Sequence, residues 1–284
     1  MRIALLCVLV AACTSSPAED PNSTTLDAKY TLQPGDEKYF CYTTTLPADR
    51  DIAITKMTPT YGISTHHILV AQTLTPEADG FSECPVLIRD TWLPLYGGGL
   101  DSGPLVLPSN TGFTVLNRGQ QVLMQVHLQN LSDQPLTATT SMKIEYVDVT
   151  PDLIPAGIYG FDNRLLTIPP HTEAAINDMS CMADRELNVF AVLGHMHKHG
   201  AHLDVSRGAN INDEMMYSEA WTFETQPVTP VSMHVSKGDN LHLRCTHKNN
   251  GDTPIVYGES SDTEMCSFVM YYAPAAGLDG CINQ

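Results

Sequence analysis

Downstream of residue 28 the chain has no stretch of helical periodicity longer than about ten residues, and this constrains its fold more than any other feature. Short β-branched or alternating runs recur instead: Asp51 to Met57, His67 to Leu74, Gly112 to Leu116, Gln121 to Leu128, Thr140 to Val149, Leu187 to Leu193, Asn240 to Cys245 and Ser267 to Tyr272. Turn residues punctuate them at Pro34-Gly35, Asp79-Gly80, Gly97-Gly98-Gly99, Lys237-Gly238-Asp239-Asn240 and Asn249-Asn250-Gly251. The pattern predicts an all-β, antiparallel architecture of the sandwich or jelly-roll kind. A chain of 284 residues with this texture is generous for one sandwich and comfortable for two. The proline-bearing stretch Val149-Thr150-Pro151-Asp152-Leu153-Ile154-Pro155 is the best boundary, which divides the body into residues 29–150 and 151–284.

The N-terminus points to export. Residues 1–12 read as a signal peptide: Arg2 gives the positive start, and the apolar run Ile3 to Val10 is far below the ~20 residues that span a bilayer. Val10-Ala11-Ala12-Cys13 resembles a bacterial lipobox, whose Cys becomes the lipidated first residue of the mature protein. An ordinary secretory signal cleaved nearby is the alternative. Residues 13–28 are polar and proline-bearing, as expected of a lipidated flexible tether. Any membrane contact is then through an anchor at Cys13, in a cell-envelope lipoprotein or, without the anchor, a secreted protein.

Setting aside Cys7 and Cys13 leaves Cys41, Cys84, Cys181, Cys245, Cys266 and Cys281, an even set in an oxidising compartment. Three disulfides are the default, and spacing does not choose among the fifteen connectivities that six cysteines allow. With 32 Asp and Glu against 15 Lys and Arg, the net charge is −17 and no basic cluster relieves it. Phosphate backbones would be repelled, so nucleic acid is excluded as a partner. Cysteine, histidine and methionine are soft and borderline metal ligands, and 8, 11 and 12 of them respectively make metal the chemistry to pursue.

Four elements carry candidate ligands. In Thr65-His66-His67-Ile68, neighbouring side chains on a regular strand point to opposite faces. Both imidazoles could therefore reach one metal only at a strand end or a bulge, which Gly62 and Ser64 make plausible; two surface histidines are the bland alternative. In Gln121 to Leu128, Gln125 and His127 share a strand face, suited to a site or to solvent. Gly194-His195-Met196-His197-Lys198-His199 places imidazoles at i, i+2 and i+4, all on one side if the strand continues. The apolar run before it implies a supported strand and favours a metal site. His199 could be a ligand, a neighbour of the ligands or exposed; His202, after Gly200, has switched parity. In Ser261-Asp262-Thr263-Glu264-Met265-Cys266, a Met265 thioether beside two imidazoles would suit copper that cycles, since sulfur favours Cu(I). Core packing is the usual role of a methionine, and thiolate ligation the competing role of the cysteines.

The order of His66-His67, Gln125-Val126-His127, His195-Met196-His197 and Asp262-Thr263-Glu264-Met265-Cys266, followed by Met270-Tyr271-Tyr272, resembles the type II copper, ascorbate-dependent monooxygenases. Peptidylglycine α-hydroxylating and dopamine β-monooxygenases are known members. The resemblance runs from about Tyr39 to Cys281. It implies two tandem antiparallel jelly-roll β-sandwich domains, each holding one of two copper ions, which face each other across a solvent-filled cleft. His66, His67 and His127 match the electron-transfer copper; His195, His197 and Met265 match the oxygen-activating copper; Gln125 matches a glutamine near the first. The implied disulfides are Cys41–Cys84, Cys181–Cys281 and Cys245–Cys266. The implied reaction hydroxylates an aliphatic or benzylic C–H bond of a small-molecule or peptide substrate, with O2 and ascorbate or another reductant as co-substrates. A non-catalytic copper-binding or copper-delivery lipoprotein is the alternative. The sequence departs from the family where an arginine that grips the substrate carboxylate is replaced by Leu193, and where Asn and Tyr after the Met-Cys pair are Ser267 and Val269. Glycine-extended peptides lose their charge-assisted clamp.

Overall fold

A computed structural model describes residues 21–46, 50–84, 88–89, 91–100, 102–115, 121–275 and 279–283. Every regular element among them is a strand, and among the described residues no helix is long and apolar enough to cross a membrane. The signal, the lipobox and residues 13–20 of the tether lie outside the described residues. The rest of the expected tether does not stay irregular. Ser23–Leu32 is a strand, paired antiparallel with Leu136–Asp148, because Leu26, Ala28, Tyr30 and Leu32 alternate inward and bury an apolar face that a free linker would expose.

Four main sheets follow. Sheet I joins Ser23–Leu32, Leu136–Asp148, Ile52–Thr60 and Thr111–Val115, with short additions. Sheet II runs Gly80–Glu83, Glu37–Thr45, Gln121–Gln129, Thr65–Thr73 and Trp92–Gly99. Sheet III runs Thr229–Val235, Leu187–His195, Ser267–Ala273, Gly157–Asn163 and Asp279–Asn283. Sheet IV runs Thr172–Met182, Asn240–Asn249, Gly200–Arg207 and Glu214–Ala220. Each run read as a strand from the sequence lies largely within one of these. Between the halves, Ile154–Pro155 pairs in parallel with Thr111–Val115 of sheet I, so the proline-bearing stretch is itself tied down.

Alternation explains why the sheets stack in pairs. Ile54, Met57, Met142 and Ile144 of sheet I meet Ile68, Val70, Val122, Met124 and Val126 of sheet II in one core. Phe161, Val189, Phe268 and Met270 of sheet III meet Met179, Leu203, Leu241 and Leu243 of sheet IV in another. Each such side chain contributes roughly 1.5–3 kcal/mol on full burial. The first core also takes in Ile158, Ala191, Leu193, Val228 and Tyr271, so apolar packing continues across the junction of the halves. The disulfides are Cys41–Cys84, Cys181–Cys281 and Cys245–Cys266, which removes all six cysteines from thiolate ligation. A chain fastened in this way belongs to an oxidising, exported environment.

Candidate metal centres

The first histidine set stands on the outer face of sheet II. Position parity sends Ile68, Val70, Val126 and Met124 into the core, and leaves His67, Leu69, Ala71, Leu123, Gln125 and His127 on the opposite face with the Cys41–Cys84 bond. His67 lies directly across the ladder from His127, and the register slips between Thr65 and His67. That irregularity, begun by Ser64 at a φ of 72°, is what lets His66 join its neighbour on one side. The three imidazoles offer ligand atoms within 4.8 Å of one another.

Protein partners already hold some of the ring nitrogens. His127 Nε2–H donates to Glu37 Oε1 at 2.9 Å, and the Tyr39 ring stacks on the imidazole with centroids 4.2 Å apart. His127 Nδ1 and both nitrogens of His67 are buried without a hydrogen-bond partner. Unsatisfied buried polar atoms are costly, and three on two facing residues fit a site for a cation. Gln125 is fully buried two residues from His127, with its Nε2 3.7 Å from Cys84 Sγ.

The second set begins where a strand ends. His195 is the last residue of Leu187–His195, opposite Ser267. His197 lies beyond the strand with its ring 5.2 Å from that of His195. The three-imidazole stripe expected from period-two spacing does not form, because the chain turns at Lys198 and His199. His199 instead donates its backbone N–H to Glu264 and accepts from Lys248 N, while the His202 ring bonds Asp204 and Ser218. His195 Nδ1–H donates to Gln226 Oε1 at 2.7 Å and leaves a buried, unpartnered Nε2. His197 Nδ1–H donates to the Thr263 carbonyl at 3.1 Å, which directs its Nε2 elsewhere.

Met265 is held by groups that sequence reasoning did not single out. Glu264 is fully buried, and its carboxylate accepts the backbone N–H of His197, His199 and Met265. One oxygen takes both His197 N–H and Met265 N–H, so the imidazole turn and the sulfur-bearing loop converge on a single atom. His247, also fully buried, donates Nε2–H to the Met265 carbonyl at 3.3 Å and accepts from Asn177 at Nδ1. Cys266 is bonded to Cys245 immediately after. Glu264 was visible as the residue before Met265, whereas nothing local marks Glu37, Gln226 or His247.

The two sets are adjacent. The His67 and His195 rings are 6.0 Å apart, and Gln226 bridges them, donating from Nε2 to His66 Nε2 at 3.3 Å while its Oε1 accepts from His195. The solvent-filled separation implied by the resemblance is replaced by packed protein. The cause is Gly97-Gly98-Gly99: a Cβ on Gly99 would stand 2.7 Å from Gln226 Cβ, and one on Gly97 3.1 Å from Leu193 Cδ2. Without those side chains the second half closes onto sheet II, and Gly99 N–H and Ser102 Oγ–H both bond the Gln226 carbonyl.

Burial keeps His66, His67, His195 and His197 neutral. It pushes His66 and His197 down to about 3, helped by the neighbouring imidazoles, and lowers His67 and His195 as well. Ring nitrogens that remain unprotonated at pH 7 are what metal ligation requires. Three imidazoles in one set, and two with a nearby thioether-bearing loop in the other, form a donor chemistry that fits copper in both oxidation states.

Comparison with known proteins agrees. The family model for the copper type II ascorbate-dependent monooxygenase C-terminal domain matches residues 155–284. Peptidyl-glycine alpha-amidating monooxygenase A of Xenopus laevis is 28% identical over 287 residues, covering 93% of this chain. The chain spans only 30% of that relative's length. Among solved structures, the STIV MCP (TM-score 0.38, 7% identity, 88% of this chain and 95% of that chain) and the major capsid protein P2 from bacteriophage PM2 (TM-score 0.35, 7% identity, 87% and 97%) are too distant to bear on fold or function. Matched over residues 155–284 by the family model and along nearly its whole length by an amidating monooxygenase, the chain is similar to the copper type II ascorbate-dependent monooxygenases.

Proposed function

We propose that the protein is an exported two-copper monooxygenase that places one atom of O2 into an aliphatic or benzylic C–H bond. The second oxygen atom leaves as water, with two electrons from a reductant such as ascorbate and two protons balancing the reaction. The observation that carries this reading is the convergence of unpartnered, buried nitrogens on His67, His127 and His195 from two sets whose rings come within 6.0 Å.

Bound copper would supply the redox chemistry, reacting with O2 at one set and storing an electron at the other. The protein's part is to aim the ligands. Gln226 and Thr263 hold the Nδ1–H of His195 and His197, which turns Nε2 of each toward the metal. Glu37 holds His127 Nε2–H and turns Nδ1 inward. Met265 offers a soft sulfur that favours the reduced state reactive with O2. Gln125, buried beside His127, stands between the first set and the Cys41–Cys84 bond, where it lends rigidity to the electron-transfer side. Leu193 and Tyr271 are buried against sheet II, so the substrate class is one that needs no arginine clamp, and the acidic surface disfavours strongly anionic compounds. Export through residues 1–12 and lipidation at Cys13 would place the enzyme at a cell-envelope surface, with no nucleic-acid partner.

The test is a Cu(I) titration of the purified chain followed by O2 uptake with ascorbate against a mixed pool of small molecules and peptides. Two equivalents bound and substrate-dependent uptake are expected. Fewer than two sites, or no ascorbate-dependent uptake with any compound, refutes the reading.

A further inference from the structure

One loop of the second half touches ligands of both sets. Thr263 receives the His197 Nδ1–H, Glu264 gathers the His197, His199 and Met265 backbone, and Met265 follows. Upstream in the same loop, Ser261 is buried at 4% exposure and its Oγ–H donates to Glu37 Oε1 at 2.6 Å. Glu37 belongs to the first half, on Glu37–Thr45, and the same oxygen accepts His127 Nε2–H at 2.9 Å. A single carboxylate oxygen thus joins an imidazole of the three-histidine set to the loop that presents the sulfur of the other. Tyr39, two residues on, reinforces the junction: its ring stacks on His127 and its hydroxyl donates to the Glu259 carbonyl at 3.4 Å.

We propose that Glu37 and Ser261 are positioning residues that couple the two copper sites, so that loading the three-histidine set fixes the pose of Met265. This rests on the two-copper reading above. Metal bound at His127 Nδ1 withdraws electron density from the ring and makes Nε2–H a stronger donor to its carboxylate, the usual way a neighbouring carboxylate orients a metal-bound histidine. Glu37 is then held more firmly in the place where Ser261 finds it. Ser261 lies four residues from Met265, in a loop already fastened at Thr263, Glu264 and the Cys245–Cys266 bond, so ordering its free end narrows the positions open to the sulfur. Coupling of this kind is reciprocal: copper at the second set also raises affinity at the first.

The experiment uses the full exported chain and Cu(I), with affinities from chelator competition and the Cu–S feature from X-ray absorption. His67→Ala reports the second set with the first disabled. In the wild type, the second set should bind Cu(I) about fivefold more tightly than in His67→Ala, a modest coupling. Ser261→Ala, which removes one hydroxyl, should abolish that difference and weaken the Cu–S feature, and Ser261→Thr should restore both. Glu37→Gln, of similar volume, should lose the coupling as well, since an amide cannot accept from His127 and Ser261 with the strength of a carboxylate. A wild type that binds two Cu(I) with no difference from His67→Ala, or a Ser261→Ala chain that keeps the full difference and Cu–S feature, overturns the coupling and leaves the two-copper reading standing. Fewer than two Cu(I) in the wild type overturns both.

Discussion

The two candidate ligand sets are built by opposite means. In the first, His67 and His127 face each other across one ladder of sheet II, and a single register slip adds His66; strand pairing sets where all three stand. In the second, only His195 sits on a strand, while His197 and Met265 come from loops. These loops are fixed by a buried carboxylate, a buried imidazole, a backbone carbonyl and a disulfide. A sheet supplies rigid ligand positions through its own hydrogen bonds. Loop-borne ligands need polar groups sunk into the core to do the same, and those groups are vulnerable in a way that a ladder is not.

Acid should erase this difference, and its effect should be the largest. His66 in one set and His197 in the other both have folded values pushed down to about 3, below the unfolded value near 6.5. Between those limits the unfolded chain takes up protons that the folded chain refuses, so stability is full above pH 6.5 and falls as pH drops toward 3. At pH 4.5 the two groups together should cost the metal-free protein on the order of 5 kcal/mol. Urea unfolding at pH 7 and 4.5 measures this, and two equivalents of Cu(I) should restore part of the loss. A flat stability profile across that range would mean that the imidazoles are solvated rather than buried.

Glu264→Ala separates the sets. It strands the backbone N–H groups of His197, His199 and Met265 in the interior and should destabilise the protein by about 4 kcal/mol. Glu37→Ala, beside the strand-borne set and partly exposed, should cost only about 1 kcal/mol. Chemical denaturation of both variants decides the matter; equal losses would contradict the contrast between loop and ladder.

Met265→Ile then probes chemistry with little change in volume. Stability should fall by less than about 1.5 kcal/mol. The three-histidine set should keep its copper, and turnover should fall on the order of a hundredfold, about 2.7 kcal/mol of barrier. Retained turnover would assign Met265 to packing alone.

Much of the contrast was legible beforehand for one set and not for the other. Strand parity and the Gly62–Ser64 irregularity foretold how His66, His67 and His127 could meet, because a period of two carries side-chain direction directly. The same parity misjudged His199, since nothing between Met196 and Gly200 announces a turn except the glycine itself. The groups that hold the second set, Glu264, His247 and Gln226, act through backbone atoms or on residues between 18 and 67 positions away. No local pattern encodes such distances. The tether misled for a related reason: its polar, proline-bearing start continues without a break into the alternating Leu26, Ala28, Tyr30 and Leu32.

The last expected effect concerns how the sets come to lie side by side. Gly99→Ala adds one methyl where the nearest atoms are Gln226 Cβ at 2.7 Å and the Gln226 backbone nitrogen at 3.1 Å, neither of them the tip of a flexible side chain. The backbone of one half or the other must therefore give way, at a cost of about 1–3 kcal/mol. The easiest relief is to withdraw the loop around Gln226, which breaks the bridge from His66 to His195 and frees the Gln226 carbonyl from Gly99 N–H and Ser102 Oγ. Neither ligand set contains Gly99, so each should still bind one Cu(I). The distance between the metals should grow, measurable as a weakened magnetic interaction between two Cu(II) ions in electron paramagnetic resonance. An unchanged interaction in a stably folded Gly99→Ala protein would show that the close approach of the sets does not depend on the bare glycine edge of sheet II.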